Sequence, residues 1–207
     1  MITYEVQLGR DFDWALREGS THFDEQNAVH KTLRKFTERL KELGIDYAVA
    51  DAMAMFFHGH RRFTEDVDVL VTRESLERIH NELSGRGYLP PFKKSKNLRD
   101  TESGVRIDFI ITGGYPGDGK PGPIAFPDPA DVSCEIDGMS FVELPKLVEL
   151  KLASGQSPAR HKDIGDAQEM IRVLKLPKEF AEQLHPSLRD AYLELWQALA
   201  DSRAEEF

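Results

Sequence analysis

The sequence predicts an α/β (α+β) fold, a sheet with helices packed against it, and three observations carry that prediction. Apolar residues recur in steps of three and four at Val29, Leu33, Phe36, Leu40 and Leu43, the signature of an amphipathic helix. The runs "DVDVLV" (66–71) and "RIDFII" (106–111) follow a two-residue alternation or stay apolar, as half-buried strands do. Helical and strand patterns then take turns along the chain, the order expected when helices cover a sheet.

Residues 1–26 precede the pattern as an N-terminal extension. The first helix is predicted from about Asn27 to Leu43, with Gly44 where a helix stop belongs. "IDYAVA" reads as a short strand and "DAMAMFFHGH" as a mostly apolar helix ended by Gly59. The strand "DVDVLV" follows, then the helix "RESLERIHNELSGRGY", ending near Ser84 or Gly85, then the strand "GVRIDFIIT". Residues 113–131 hold five glycines and five prolines and are loop. Two more helices are predicted in "ELPKLVELKLAS" and "SPARHKDIGDAQEMIRVLKL", the second with Ser157 and Pro158 as N-cap and first-turn pair. Beyond Pro177, a stripe of Leu188, Tyr192, Leu195, Trp196 and Leu199 makes the tail helical. The expected division is a core domain over 27–175 and a helical appendage over 176–207 packed on it. Three strands are too few for a doubly wound dinucleotide fold, and no G-x-G-x-x-G follows any of them.

At 207 residues the chain can bury a real core. No apolar run approaches the roughly 18 residues that span a bilayer, and the N-terminus has no basic start or apolar core of a signal peptide. The expected address is the cytoplasm, with no membrane partner. A single cysteine, Cys134, excludes an internal disulfide and fits no zinc-finger spacing. A net charge of −9 argues against nonspecific wrapping of nucleic acid. A local basic groove at Lys93, Lys94, Lys96 and Arg99 remains open beside the plainer reading of a solvated loop.

Aspartate is a poor strand former, yet "DVDVLV" puts Asp66 and Asp68 two residues apart, on one face, with Val67, Val69 and Val71 on the other. The strand "RIDFII" repeats this, with Arg106 and Asp108 opposite Ile107, Phe109 and Ile111. If the two strands are neighbours, three carboxylates converge, and one must be protonated or a cation must sit among them. Oxygen-only donors suit Mg²⁺ or Mn²⁺. Such a site fits two-metal phosphoryl transfer. The plainer alternative is a solvated sheet face with the aspartates paired to Arg62 or Arg106.

The arrangement resembles the nucleotidyltransferase fold of the DNA polymerase β superfamily, most closely its minimal bacterial, AbiEii-like, toxin–antitoxin group. The resemblance rests on "HG-x-x-R-x-T-x-D-x-D", met by His58, Gly59, Arg62, Thr64, Asp66 and Asp68, and on Asp108 in the later strand. Lys151, Arg160, Lys162, Asp163 and Asp166 match a downstream "K-L … R-x-K-D-x-x-D" segment, so roughly residues 30–172 are covered. It implies a mixed sheet with flanking helices and transfer of a nucleoside monophosphate from a nucleoside triphosphate such as ATP to a hydroxyl acceptor. Asp66, Asp68 and Asp108 would be catalytic and metal-holding, and Lys151 would face the phosphates. Asp51, Arg62, Thr64, Arg160 and Lys162 complete the expected nucleotide-side residues. The acceptor could be RNA, a protein side chain or a small molecule, and a cognate antitoxin is a further expected partner.

The chain departs from that family at Ala50 and Asp51, where a Gly-Gly or Gly-Ser pair is usual. An aspartate beside a triphosphate is repulsive, unless it is turned onto backbone amides as a helix N-cap. This departure supports a rival reading, a catalytically impaired relative that binds a nucleotide or a partner protein. A phosphohydrolase using the same trio is the third. "GYPGDGKP" mimics a P-loop, but Pro121 replaces the Mg²⁺-binding Ser or Thr and the prolines beyond it forbid the required helix. His58 and His60 read as turn or core residues before zinc ligands.

Overall fold

The computed structural model describes residues 2–204. Helices α1 (Tyr4–Leu8), α2 (Phe12–Phe23) and α3 (Ala28–Glu42) lead into strand β1 (Ala48–Ala50) and helix α4 (Asp51–Phe57). Strand β2 (Asp66–Val71), helix α5 (Arg73–Leu83) and strands β3 (Tyr88–Leu89), β4 (Leu98–Asp100) and β5 (Arg106–Ile111) follow. Then come α6 (Pro129–Val132), the hairpin β6 (Ser133–Ile136) and β7 (Met139–Val142), and helices α7 (Leu144–Gly155), α8 (His161–Val173) and α9 (Arg189–Ala204).

The seven strands form one mixed sheet in the order β3-β4-β5-β2-β1-β7-β6. Its centre is the parallel pair β2 and β5, flanked by β1 antiparallel to β2. Val67, Val69, Ile107 and Phe109 point to one face and are fully buried. Helix α3 closes that face: Phe36 lies 5.9 Å from Phe109, ring centre to ring centre, and is itself fully buried. Each such side chain contributes roughly 1.5–3 kcal/mol through burial. The other face carries Asp66, Asp68 and Asp108, with α7 standing across a cleft from it.

The three predicted strands are present, but four more were unreadable. Strands β3, β4, β6 and β7 are two to four residues long, below the length at which alternation shows. Part of the basic stretch accordingly is not loop: Arg99 lies in β4 and binds Glu5 at 2.9 Å. The predicted helix starting at Ser157 and Pro158 begins instead as a 3₁₀ turn over Pro158–Arg160, and α8 proper starts at His161. Ser157 makes no cap hydrogen bond. No helix follows the P-loop mimic before the short α6.

The N-terminal segment is folded onto the core. Tyr4 is fully buried and donates its hydroxyl to Glu18, whose carboxylate also accepts from the Ala28 amide at the start of α3. His22, on α2, reaches the Arg62 carbonyl at 2.9 Å. At the other end, Tyr192 and Trp196 of α9 donate to the carbonyls of Pro177 and Leu176 and dock the helix. No helix among the described residues is long and apolar enough to cross a membrane.

Candidate active site

Register decides the first question. Asp68 and Asp108 are direct neighbours across the parallel ladder, as are Asp66 and Arg106. Adjacent strands run about 4.8 Å apart, so the three carboxylates meet on one face. Ala50 of β1 pairs with Asp68 from the other side and brings Asp51 beside it.

These carboxylates differ in what holds them. Asp66 accepts from the Thr64 hydroxyl at 2.8 Å and from Arg106 Nη2 at 2.7 Å. Arg106 Nε lies 3.0 Å from Asp108 Oδ1, but the two are out of line, so neither gains a hydrogen bond from the approach. The Asp68 carboxylate receives no hydrogen bond or ion pair among the described residues. Burial raises its pKa well above the usual carboxylate range, and the charges of Asp51, Asp66 and Asp108 raise it further. Burial also raises Asp108, against the opposing pull of Arg106.

A second acidic group lies alongside. Lys151, in the buried helix α7, donates to Asp51 at 2.6 Å and to Asp163 and Asp166 at 2.8 Å each. Asp163 and Asp166 are one helical turn apart on α8, so both face α7. The helices can approach this closely because position 155 is glycine: a Cβ there would stand 2.4 Å from the Ile164 side chain. Burial alone would depress the Lys151 pKa, but Asp51, Asp166 and Asp163 overcome it and hold the ammonium above the ordinary lysine range. For Asp163, burial works upward, but Lys151 and the Ser154 hydroxyl hold its pKa below normal.

Asp51 is not turned away from the cleft as a helix cap. It is the first residue of α4, Ala50 occupies the cap position without a side-chain hydrogen bond, and the Asp51 carboxylate goes to Lys151 and Arg62. Its φ is +48°, the left-handed region that favours glycine. A side chain there costs roughly 1–2 kcal/mol, a strain aspartate tolerates better than most residues.

Two adjoining clefts meet at Asp51, Asp68, Lys151, Arg160 and Asp163. The larger, about 460 Å³, is walled by Ile110, Leu147, Leu150, Tyr115 and Phe126, the last two from the Gly/Pro-rich loop. Lys96 of the basic stretch reaches it. The smaller, about 310 Å³, is polar and contains the acidic trio with Arg62, Arg106, Arg160 and Lys162. Of its cations, Arg62 is bound to Asp51 and Asp166, Arg160 to Asp163, and Lys151 to three aspartates. The exposed Lys162 differs from these in carrying no ion pair among the described residues. All nine predicted site residues thus line one or both clefts, and Lys151 arrives with its three donors already engaged.

Arg106, read from the sequence as a face-mate of Asp108 and as the partner in the plainer alternative, does pair with Asp66 and Asp108, while Tyr115 and Phe126 of the cleft wall carried no sequence signal. As a donor set, three carboxylates with one lacking any partner suit a hard divalent ion. Among the described residues, however, no three His, Cys, Asp or Glu side chains are closed into a metal-ligand arrangement. His58 donates to or accepts from nothing in these clefts; its Nε2 pairs with the Val142 carbonyl.

No family model matches the chain, and no curated protein does. Solved structures do. The crystal structure of ANT(2")-Ia in complex with adenylyl-2"-tobramycin superposes with a TM-score of 0.51 at 11% identity, over 78% of this chain and 95% of that one. The chain has the nucleotidyltransferase fold. An antigenic nucleotidyltransferase-like protein from Paracoccidioides brasiliensis matches at a TM-score of 0.43 and 15% identity, over 80% of this chain and 91% of its own. In this nucleotidyltransferase fold, the paired strands β2 and β5 present the acidic trio to the polar cleft, and Asp68 to both clefts.

Proposed function

We propose that this protein is a divalent-metal-dependent nucleotidyltransferase that moves a nucleoside monophosphate from a nucleoside triphosphate to a hydroxyl acceptor. The observation that carries the reading is Asp68: a half-buried carboxylate, without a partner among the described residues, flanked by Asp66 and Asp108 where two clefts join. Asp66, Asp68 and Asp108 would hold Mg²⁺ or Mn²⁺, which supplies charge neutralisation for the transferred phosphoryl group. Asp108, its pKa raised by burial, is positioned to accept the acceptor's hydroxyl proton. Arg62, Arg160, Lys162 and Lys151 supply the positive charge for phosphates in the polar cleft. The apolar cleft, with Tyr115 and Phe126, suits a base or the carbon frame of an acceptor. The adenylyl-2"-tobramycin held in the similar ANT(2")-Ia structure supports a small-molecule acceptor ahead of RNA or a protein side chain.

Thermal melting with Mg²⁺ or Mn²⁺ and each of the four nucleoside triphosphates tests this. A ligand at a hundredfold excess over its Kd stabilises by about 2.7 kcal/mol, so one metal–nucleotide pair should raise the midpoint, and Asp68→Asn should abolish the rise. No shift with any pair at millimolar ligand overturns the proposal. The second reading, an impaired relative of the toxin–antitoxin kind that binds a partner, is favoured by Asp51, whose carboxylate occupies Lys151 and Arg62, and by Arg106, which already neutralises two of the three carboxylates.

A further inference from the structure

The cations of the polar cleft are nearly all engaged by carboxylates of the same chain, and these carboxylates are not equivalent. Lys151 has three acidic partners. The side chains of Asp163 and Asp166 are only 4% and 8% exposed; Asp163 reaches the edge of both clefts, and Asp166 lines neither. The Asp51 side chain is 26% exposed and lines both clefts. The same Asp51 oxygen, Oδ1, sits 2.6 Å from Lys151 Nζ and 3.4 Å from Arg62 Nη2. That is an anionic oxygen shared by two cations at a cleft junction, the contact a phosphate oxygen makes. Nothing in α4 demands an acid at this position. The residue caps no helix, and its left-handed backbone would be more comfortable as glycine.

We infer that Asp51 sets the affinity of this site by standing in for a substrate phosphate. Its carboxylate satisfies Lys151 and Arg62 from the cleft side, and an incoming phosphate chain must displace it to reach them. This rests on the nucleotidyltransferase reading and adds a residue that tunes it. With Asp51 removed, Lys151 keeps Asp163 and Asp166, Arg62 keeps Asp166, and the freed donors of both open onto the clefts.

The test is calorimetric binding of Mg²⁺–ATP and of inorganic tripolyphosphate, which lacks the base, to the unaltered protein, Asp51→Gly and Asp51→Asn. Each variant is first melted without ligand to establish that it folds. Glycine relieves the backbone, and asparagine keeps the side chain's size without its charge. Both variants should bind both ligands at least roughly tenfold more tightly, since like charges in contact at an interface are strongly unfavourable. Should the unaltered protein bind while neither variant binds more tightly, Asp51 is not a competitor and this inference fails alone. Should no ligand bind any of the three, the nucleotidyltransferase reading fails and takes the inference with it. Should one variant fail to fold, the other decides by the same comparison.

Discussion

Two groups of three aspartates stand side by side in this molecule and are treated in opposite ways. Asp51, Asp163 and Asp166 surround the Lys151 ammonium at 2.6–2.8 Å, and the group is closed. Asp66, Asp68 and Asp108 share a sheet face with Arg106 at one side, and Asp68 is left with no partner among the described residues. The first cluster has three cations, Lys151, Arg62 and Arg160, for its three acids, and the second has only Arg106. A cluster with its counter-charge built in holds helices α7 and α8 to the start of α4. A cluster short of counter-charge is held together at a cost, and such a cost persists where something outside the chain is meant to meet it.

The sharpest way to break this contrast is to empty the closed cluster. Lys151→Met should leave three carboxylates with only Arg62 and Arg160 at their margins and destabilise the fold by about 3–5 kcal/mol, read as a lower midpoint in urea. A loss below about 1 kcal/mol would mean that the two clusters are alike after all. The open cluster should answer in the opposite sense. Asp68→Asn removes a charge that burial and three neighbouring acids disfavour, so stability at pH 7 should rise. The pH dependence follows from the direction in which the Asp68 pKa is moved. The folded protein holds the Asp68 proton more tightly than the unfolded chain does. Stability contributed by this group is therefore greatest below the unfolded carboxylate pKa and declines as pH rises through the folded value. Denaturation curves in chelator-containing buffer from pH 4 to 8 should show this decline, and Asp68→Asn should lack it. The smallest effect belongs to Arg106→Ala. The guanidinium side chain is 38% exposed, so its loss should change stability by about 0–1 kcal/mol. The midpoint shift produced by Mn²⁺ should grow, because Asp66 and Asp108 lose their resident cation. An unchanged shift would separate Arg106 from metal binding.

The open cluster was legible in the sequence and the closed one was not. "DVDVLV" and "RIDFII" announce their faces through a two-residue period, and a parallel register needs only that both strands be central. Lys151 meets Asp51 across 100 positions of sequence, a pairing no local pattern encodes. Its contacts to Asp163 and Asp166 depend on Gly155 allowing two helices together. That Asp51 does not cap α4 has a related reason. Composition suggests what an aspartate before a helix usually does, while its left-handed backbone is fixed by how β1 hands the chain to α4. The short edge strands escaped because two to four residues cannot display a period.

The bond from His22 to the Arg62 carbonyl gives the first 26 residues a meaning beyond an appended tail. Arg62 is held at its side chain by Asp51 and Asp166 and at its backbone by a helix that begins fifty positions earlier. A version trimmed to start at residue 27 would therefore lose one of the two moorings of a cleft arginine. Weakened ligand binding in such a trimmed protein would report a slackened wall, with every cleft residue still in the chain.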